Sequence, residues 1–105
     1  MYTRNVSIKL KGKCAPEFTR TLENEIIPVL RKQKGFKDEI TLIAPERNEV
    51  LAVSFWERKE DAEAYGREKY QDILKMLSKV VEGTPRVEHF EVANSTSHHI
   101  AAKAA

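Results

Sequence analysis

Val50-Leu51-Ala52-Val53-Ser54-Phe55-Trp56 is apolar on both sides, with Leu51, Val53 and Phe55 alternating against Val50, Ala52 and Trp56. Successive side chains of a strand point to opposite faces, so a strand with one wet face should alternate apolar with polar residues. This segment does not, and it reads as a strand buried on both sides. Just before it, Pro45-Glu46-Arg47-Asn48-Glu49 supplies turn chemistry, and Phe36 to Ala44 reads as a strand in its own right. The short connection makes the two an antiparallel hairpin. Further upstream, Tyr2, Val6, Ile8 and Leu10 fall on alternate positions, with Asn5, Ser7 and Lys9 between them, until Gly12 ends a first strand. Pro16 suits a first helical turn. Phe18, Leu22, Ile26, Val29 and Leu30 then recur at helical spacing up to Gly35, and Pro28 predicts a bend.

Downstream, helical signals start at Glu60-Asp61 and run through Ala62 and Tyr65 to a weak point at Gly66. They resume through Tyr70, Ile73, Leu74, Leu77, Val80 and Val81 to Gly83, which predicts a second helix in two pieces. Pro85 opens a last strand that runs through Val92. Residues 1–92 thus form one domain, and the small, polar, unpatterned residues 93–105 read as a mobile C-terminal tail.

The order β-α-β-β-α-β is the split βαβ, ferredoxin-like α+β arrangement, with two helices covering one face of a four-stranded antiparallel sheet. The other face stays bare, yet the third strand is apolar on both sides and the second adds Ile40 and Leu42 on one side and Ile43 on the other, so about six large apolar side chains would sit on it. At roughly 1.5–3 kcal/mol for each large apolar side chain, leaving them wet forgoes on the order of 10 kcal/mol. That is comparable with the whole stability of a domain. A second copy of the chain, packed through its own bare face as a two-fold homodimer, is the simplest cover.

The 105 residues carry 18 basic and 16 acidic side chains interspersed along the chain, for a net charge of +2, so no large one-signed field exists to attract nucleic acid or an anionic membrane. Cys14 is the single cysteine, which excludes an internal disulfide and suits a reducing compartment. The N-terminus leads into an alternating strand rather than an apolar leader, and a cytoplasmic location is expected. Lys34-Gly35-Phe36 looks like the start of an RNA-binding aromatic motif. It enters the second strand, however, and Asp38, Glu39, Ile40 and Leu42 follow where stacking rings would be needed. His98 and His99 lack a third ligand at metal-like spacing, and no metal site is expected.

The element order, the stretch Pro28-Val29-Leu30-Arg31-Lys32-Gln33-Lys34-Gly35-Phe36, and Phe55-Trp56-Glu57 running into Ala62-Glu63-Ala64-Tyr65 together resemble the antibiotic-biosynthesis-monooxygenase-like (ABM) domains of the dimeric α+β barrel superfamily. The resemblance extends to about Val92. It implies two sheets packed face to face, helices outside, and in each subunit a cavity between sheet and helices. In haem-degrading members an Asn precedes the glycine ending strand one by seven residues, as Asn5 precedes Gly12; the position of their histidine falls on Lys75 or Met76, which offers no imidazole for haem iron. The two histidine positions of quinol-type oxygenases fall on Tyr65 and Tyr70.

The resemblance therefore implies a dimeric small-molecule-binding protein. It also implies cofactor-independent oxygenation of an aromatic or quinol-type compound, with Asn5, Tyr65 and Tyr70 as catalytic hydrogen-bonding groups, Trp56 and Ser7 as ligand contacts, and no metal or other cofactor. A non-catalytic dimeric ligand-binding or scaffold module is the alternative. Tyr70 shares a stripe with Ile73, Leu74 and Leu77, so it is either a core tyrosine or a cavity tyrosine. Asn5 and Ser7, polar on a central strand, must face a partner, water or a cavity.

Overall fold

In the computed structural model, which describes residues 1–100, a four-stranded antiparallel sheet carries one layer of helices. Strand β1 spans Tyr2–Leu10, β2 Phe36–Ala44, β3 Glu49–Trp56 and β4 Val81–Glu91, in the spatial order β2-β3-β1-β4. The expected α+β ferredoxin-like arrangement is thus observed. The hairpin β2–β3 pairs Leu42 with Leu51 and Ile40 with Val53, while β1 pairs Arg4 with Ser54 and Val6 with Ala52. Directly opposed residues share a face. One parity (Arg4, Val6, Ile8, Ala52, Ser54, Trp56) therefore meets the helices, and the other (Asn5, Ser7, Leu51, Val53, Phe55, Ile40, Leu42) forms the bare face.

The first helical region is α1 (Ala15–Thr21), a π-turn at Leu22–Ile26 and α2 (Ile27–Arg31). The expected irregularity at Pro28 takes this form because proline has no N–H for the carbonyl one turn back. Just ahead of it the ladder widens, and the Ile27 N–H donates to the Leu22 carbonyl five residues earlier. Phe18, Leu22, Ile26 and Leu30 stay buried through the change. The second region divides into α3 (Lys59–Glu68) and α4 (Tyr70–Leu77), with the break at Lys69 (φ −121°) rather than at Gly66.

Two expectations change at the end of α4. The helix stops at Leu77, and Val80 and Val81, read as helical from their spacing, instead lead into β4, where Val81 pairs with Leu10. Both are β-branched and pack well on a pleated surface. Pro85 then lies inside β4 rather than opening it. It is accommodated because β4 is an edge strand whose register with β1 shifts between Ser7 and Lys9.

The segment after β4, expected to be a mobile tail, folds back through residue 100. Ser95 and Ile100 form a bridge, the His98 ring lies 5.0 Å from Phe55, and its Nε2 is 3.2 Å from Asp38 Oδ2. One end of the bare face is thereby covered by the chain itself. Residues 101–105, the end of that expected tail, lie outside the described residues. No helix among the described residues is long and apolar enough to cross a membrane.

Candidate functional site

Strand β1, lying between β3 and β4, aims Arg4, Val6 and Ile8 at the helices, and α4 returns Tyr70, Ile73 and Leu77 onto them. Between the layers lies a cavity of about 60 Å³, walled by these residues and by Phe18, Leu22 and Ile26. It is smaller than the roughly 150 Å³ that holds a benzene in a dry core, so an organic ligand must widen it. The two defects of the helix layer, the π-turn through Leu22 and Ile26 and the break just before Tyr70, both border the cavity. Interrupted helical ladders are where local opening costs least, so the wall is weakest where it would have to yield.

The polar groups gather at one end. The Arg4 guanidinium carbon stands 4.3 Å from the centre of the Tyr70 ring and 5.6 Å from that of Tyr65. Such placement over ring faces is an attractive cation–π geometry. The Tyr70 hydroxyl and Arg4 Nε are buried without a hydrogen-bond partner. Burial pushes the Tyr65 phenol up to about 12, against the opposing pull of Arg4, and raises Tyr70 for the same reason. Neither phenol is a base near neutral pH; both are fitted to donate a hydrogen bond. At the outer end of Arg4, His89 on β4 brings Nε2 to 3.5 Å from Nη1, and burial, seconded by the arginine's charge, holds the imidazole below its ordinary value.

Trp56 is fully buried but is not part of the cavity wall. Its ring packs 5.0 Å behind Tyr65, its Nε1 donates to Ser54 Oγ at 2.8 Å, and Phe36 meets it edge-on at 5.7 Å. It sets the position of Tyr65 from behind. Of the residues singled out from sequence, the structure brings Tyr65 and Tyr70 together and sends Asn5 and Ser7 to the opposite face, paired with Val53 and Leu51. The cause is the two-residue period of β1: an odd position cannot share a face with Val6 and Ile8. There Asn5 Oδ1 is buried and unpartnered, a polar atom on the face that a second sheet would cover.

Arg4 was missed, although its signal was present. It occupies the parity of Tyr2, Val6, Ile8 and Leu10, where an apolar residue is expected. Glu39, also on the cavity wall, was missed as well; the Thr41 hydroxyl donates to its carboxylate, and burial raises its pKa.

This arrangement of sheet and helices recurs in solved structures. A Bordetella bronchiseptica protein assigned to the antibiotic biosynthesis monooxygenases superposes with a TM-score of 0.74 at 15% identity, covering 87% of this chain and 95% of that one. The protein has the ABM fold. A monooxygenase of Streptomyces coelicolor, solved in complex with nanaomycin D, gives 0.75 at 13% identity over 90% of this chain and 88% of that one. The Mycobacterium tuberculosis heme degrader MhuD, with two hemes bound in its active site, gives 0.74 at 17% identity over 91% and 99%. No family model matches the sequence. Two uncharacterized M. tuberculosis proteins, from two strains, are each 26% identical over 105 residues. The chain spans about half the length of these curated relatives, 46% of each.

Proposed function

We propose that this ABM-fold protein is a dimeric small-molecule-binding protein, with the ligand held between the sheet and the helices of each subunit. The observation that carries the reading is the unpartnered Tyr70 hydroxyl at an apolar internal cavity beside a buried Arg4. Buried polar groups are otherwise almost always bonded, and a ligand or ordered water supplies what the protein does not. The solved relatives with nanaomycin D and heme support the reading by their ligands. Tyr65 and Tyr70 orient the ligand, and Trp56 holds Tyr65 in place. Asn5 and Ser7 belong to the dimer face, where a partner donor would satisfy Asn5 Oδ1. The one free cysteine, Cys14, suits a cytoplasmic setting.

Cofactor-independent oxygenation of an aromatic or quinol-type compound is the second reading, favoured by the cation beside the two phenols. An electron-rich ring would meet O2 directly, while the site excludes water, orients the ring and lets Arg4 favour the ionised substrate. The elevated Tyr65 and Tyr70 leave the substrate's own acidity to account for proton loss.

Titration with phenol and 1-naphthol, followed by amide and methyl NMR, tests the binding reading. Saturable shifts at Tyr70, Ile73, Leu77 and Leu22 are expected, with faster hydrogen exchange in α4 as the wall opens. Shifts confined to the bare face, or none, would defeat it. Oxygen uptake with 1,4-dihydroxynaphthalene above the protein-free rate tests the second reading.

A further inference from the structure

The proposed binding site leaves one charge unexplained. Arg4 is 4% exposed, and a cation so buried is normally paired. Among the described residues no carboxylate lies within ion-pair distance of it. Its polar contact is the long approach to His89, Nε has no partner, and the faces of Tyr65 and Tyr70 supply the rest of the attraction. Glu39 shares the cavity wall but sits on β2, two strands away, and burial favours its neutral form. Glu63, Arg67 and His89 surround the outer side of the guanidinium, in a separate cleft.

The helix layer packs against this group. Gly66 lies inside α3, where glycine weakens a helix. A β-carbon there would stand 3.4 Å from Arg4 Nη1, at the tight edge of ordinary contact. A planar fork of donors with an unused N–H, beside an unused hydroxyl and an apolar wall of Val6, Ile73 and Leu77, matches an anionic oxygen on a hydrophobic body.

We infer that the ligand of this cavity is an organic anion, a carboxylate or phenolate on a small apolar body, whose charged oxygen pairs with Arg4 and accepts from the Tyr70 hydroxyl. The inference rests on the reading of the cavity as a binding site and adds the ligand's charge to it. Benzoate and benzamide, alike in shape and unlike in charge, separate the two ideas when titrated calorimetrically into the wild-type protein and Arg4→Met. Benzoate should bind roughly tenfold or more tightly than benzamide, and Arg4→Met should erase that preference by weakening benzoate more than benzamide. Equal affinity of the wild type for both probes overturns the inference and leaves the binding site standing; no binding of either up to about 10 mM overturns both. Should Arg4→Met fail to fold, the Arg4 Nε–H resonance of the wild type decides. A shift with benzoate and not with benzamide supports the pairing, and an unmoved resonance overturns it.

Discussion

The two faces of one sheet are built to different standards. On the helix side Trp56 is 0% exposed, Leu10 and Phe18 are almost as buried, and the Trp56 indole packs against both Phe36 and Tyr65. On the other side Ile40, Leu42 and Phe90 are 43%, 54% and 50% exposed, and among the described residues His98 covers one end of this face at Phe55. Both faces come from the same strands, so the contrast cannot lie in strand propensity. What differs is the partner: the helices joined to the strands cover one side, whereas among the described residues the other side is met at one end, by His98. An exposed apolar area of this kind marks an interaction surface.

The largest effect should come from charging the bare face. Leu42→Glu in a two-fold dimer places two carboxylates in the interface and should weaken association by more than about 4 kcal/mol, since a single unpaired buried charge costs about 3–5. Sedimentation should show a folded monomer for the variant and a dimer for the wild type. A wild type that sediments as a well-folded monomer would remove the contrast between the faces altogether.

On the packed face, Trp56→Ala should cost about 3–5 kcal/mol in urea unfolding, because the large-to-small change leaves a cavity behind Tyr65. A loss below about 1 kcal/mol would mean that this face is no better packed than the bare one. Gly35→Ala should cost about 2–4 kcal/mol. Gly35 has φ +81°, and a β-carbon there would run into the Asp61 side chain, which is itself buried and held 3.6 Å from Arg58.

Tyr70→Phe sharpens the comparison by asking whether the cavity belongs to the packed core. Its hydroxyl has no protein partner to lose, so stability should stay within about 0.5 kcal/mol, whereas a hydrogen-bonded core tyrosine would lose roughly 1–3. Ligand affinity should fall. The smallest effects concern titration. Tyr65 should ionise near pH 12 in the folded chain, followed by ultraviolet absorbance. Its folded pKa lies above the unfolded one, so its contribution to stability is complete below the unfolded value near 10 and declines between there and 12. His89 runs the other way: its folded pKa is depressed, so stability declines as pH falls through its unfolded value. In Arg4→Met the His89 resonance should titrate closer to its ordinary value, because a nearby positive charge has gone.

Much of this was legible in the chain. The double-sided apolar run of β3, the turn at 45–49 and the alternation of β1 determine a sheet with one helix-covered and one bare face, because side-chain period and turn chemistry act locally. Pro28 announced a defect in the first helical region for the same local reason. The end of α4 was misread because Val80 and Val81 satisfy helical spacing and strand preference alike, and pairing with Leu10 across the sheet decided between them. The site divided in the same way. Tyr65 and Tyr70 lie on helical stripes that the sequence displays, and Asn5 was drawn to them by its chemistry, although strand parity already excluded it. Arg4 stood in an apolar position without revealing whether an acid waited across the sheet. That no carboxylate among the described residues reaches it, that two phenol rings do, and that residues 95–100 return to Phe55 are consequences of long-range packing. Sequence determines which way each side chain points; which groups then meet, and which are left unpaired, depends on how distant segments close upon one another.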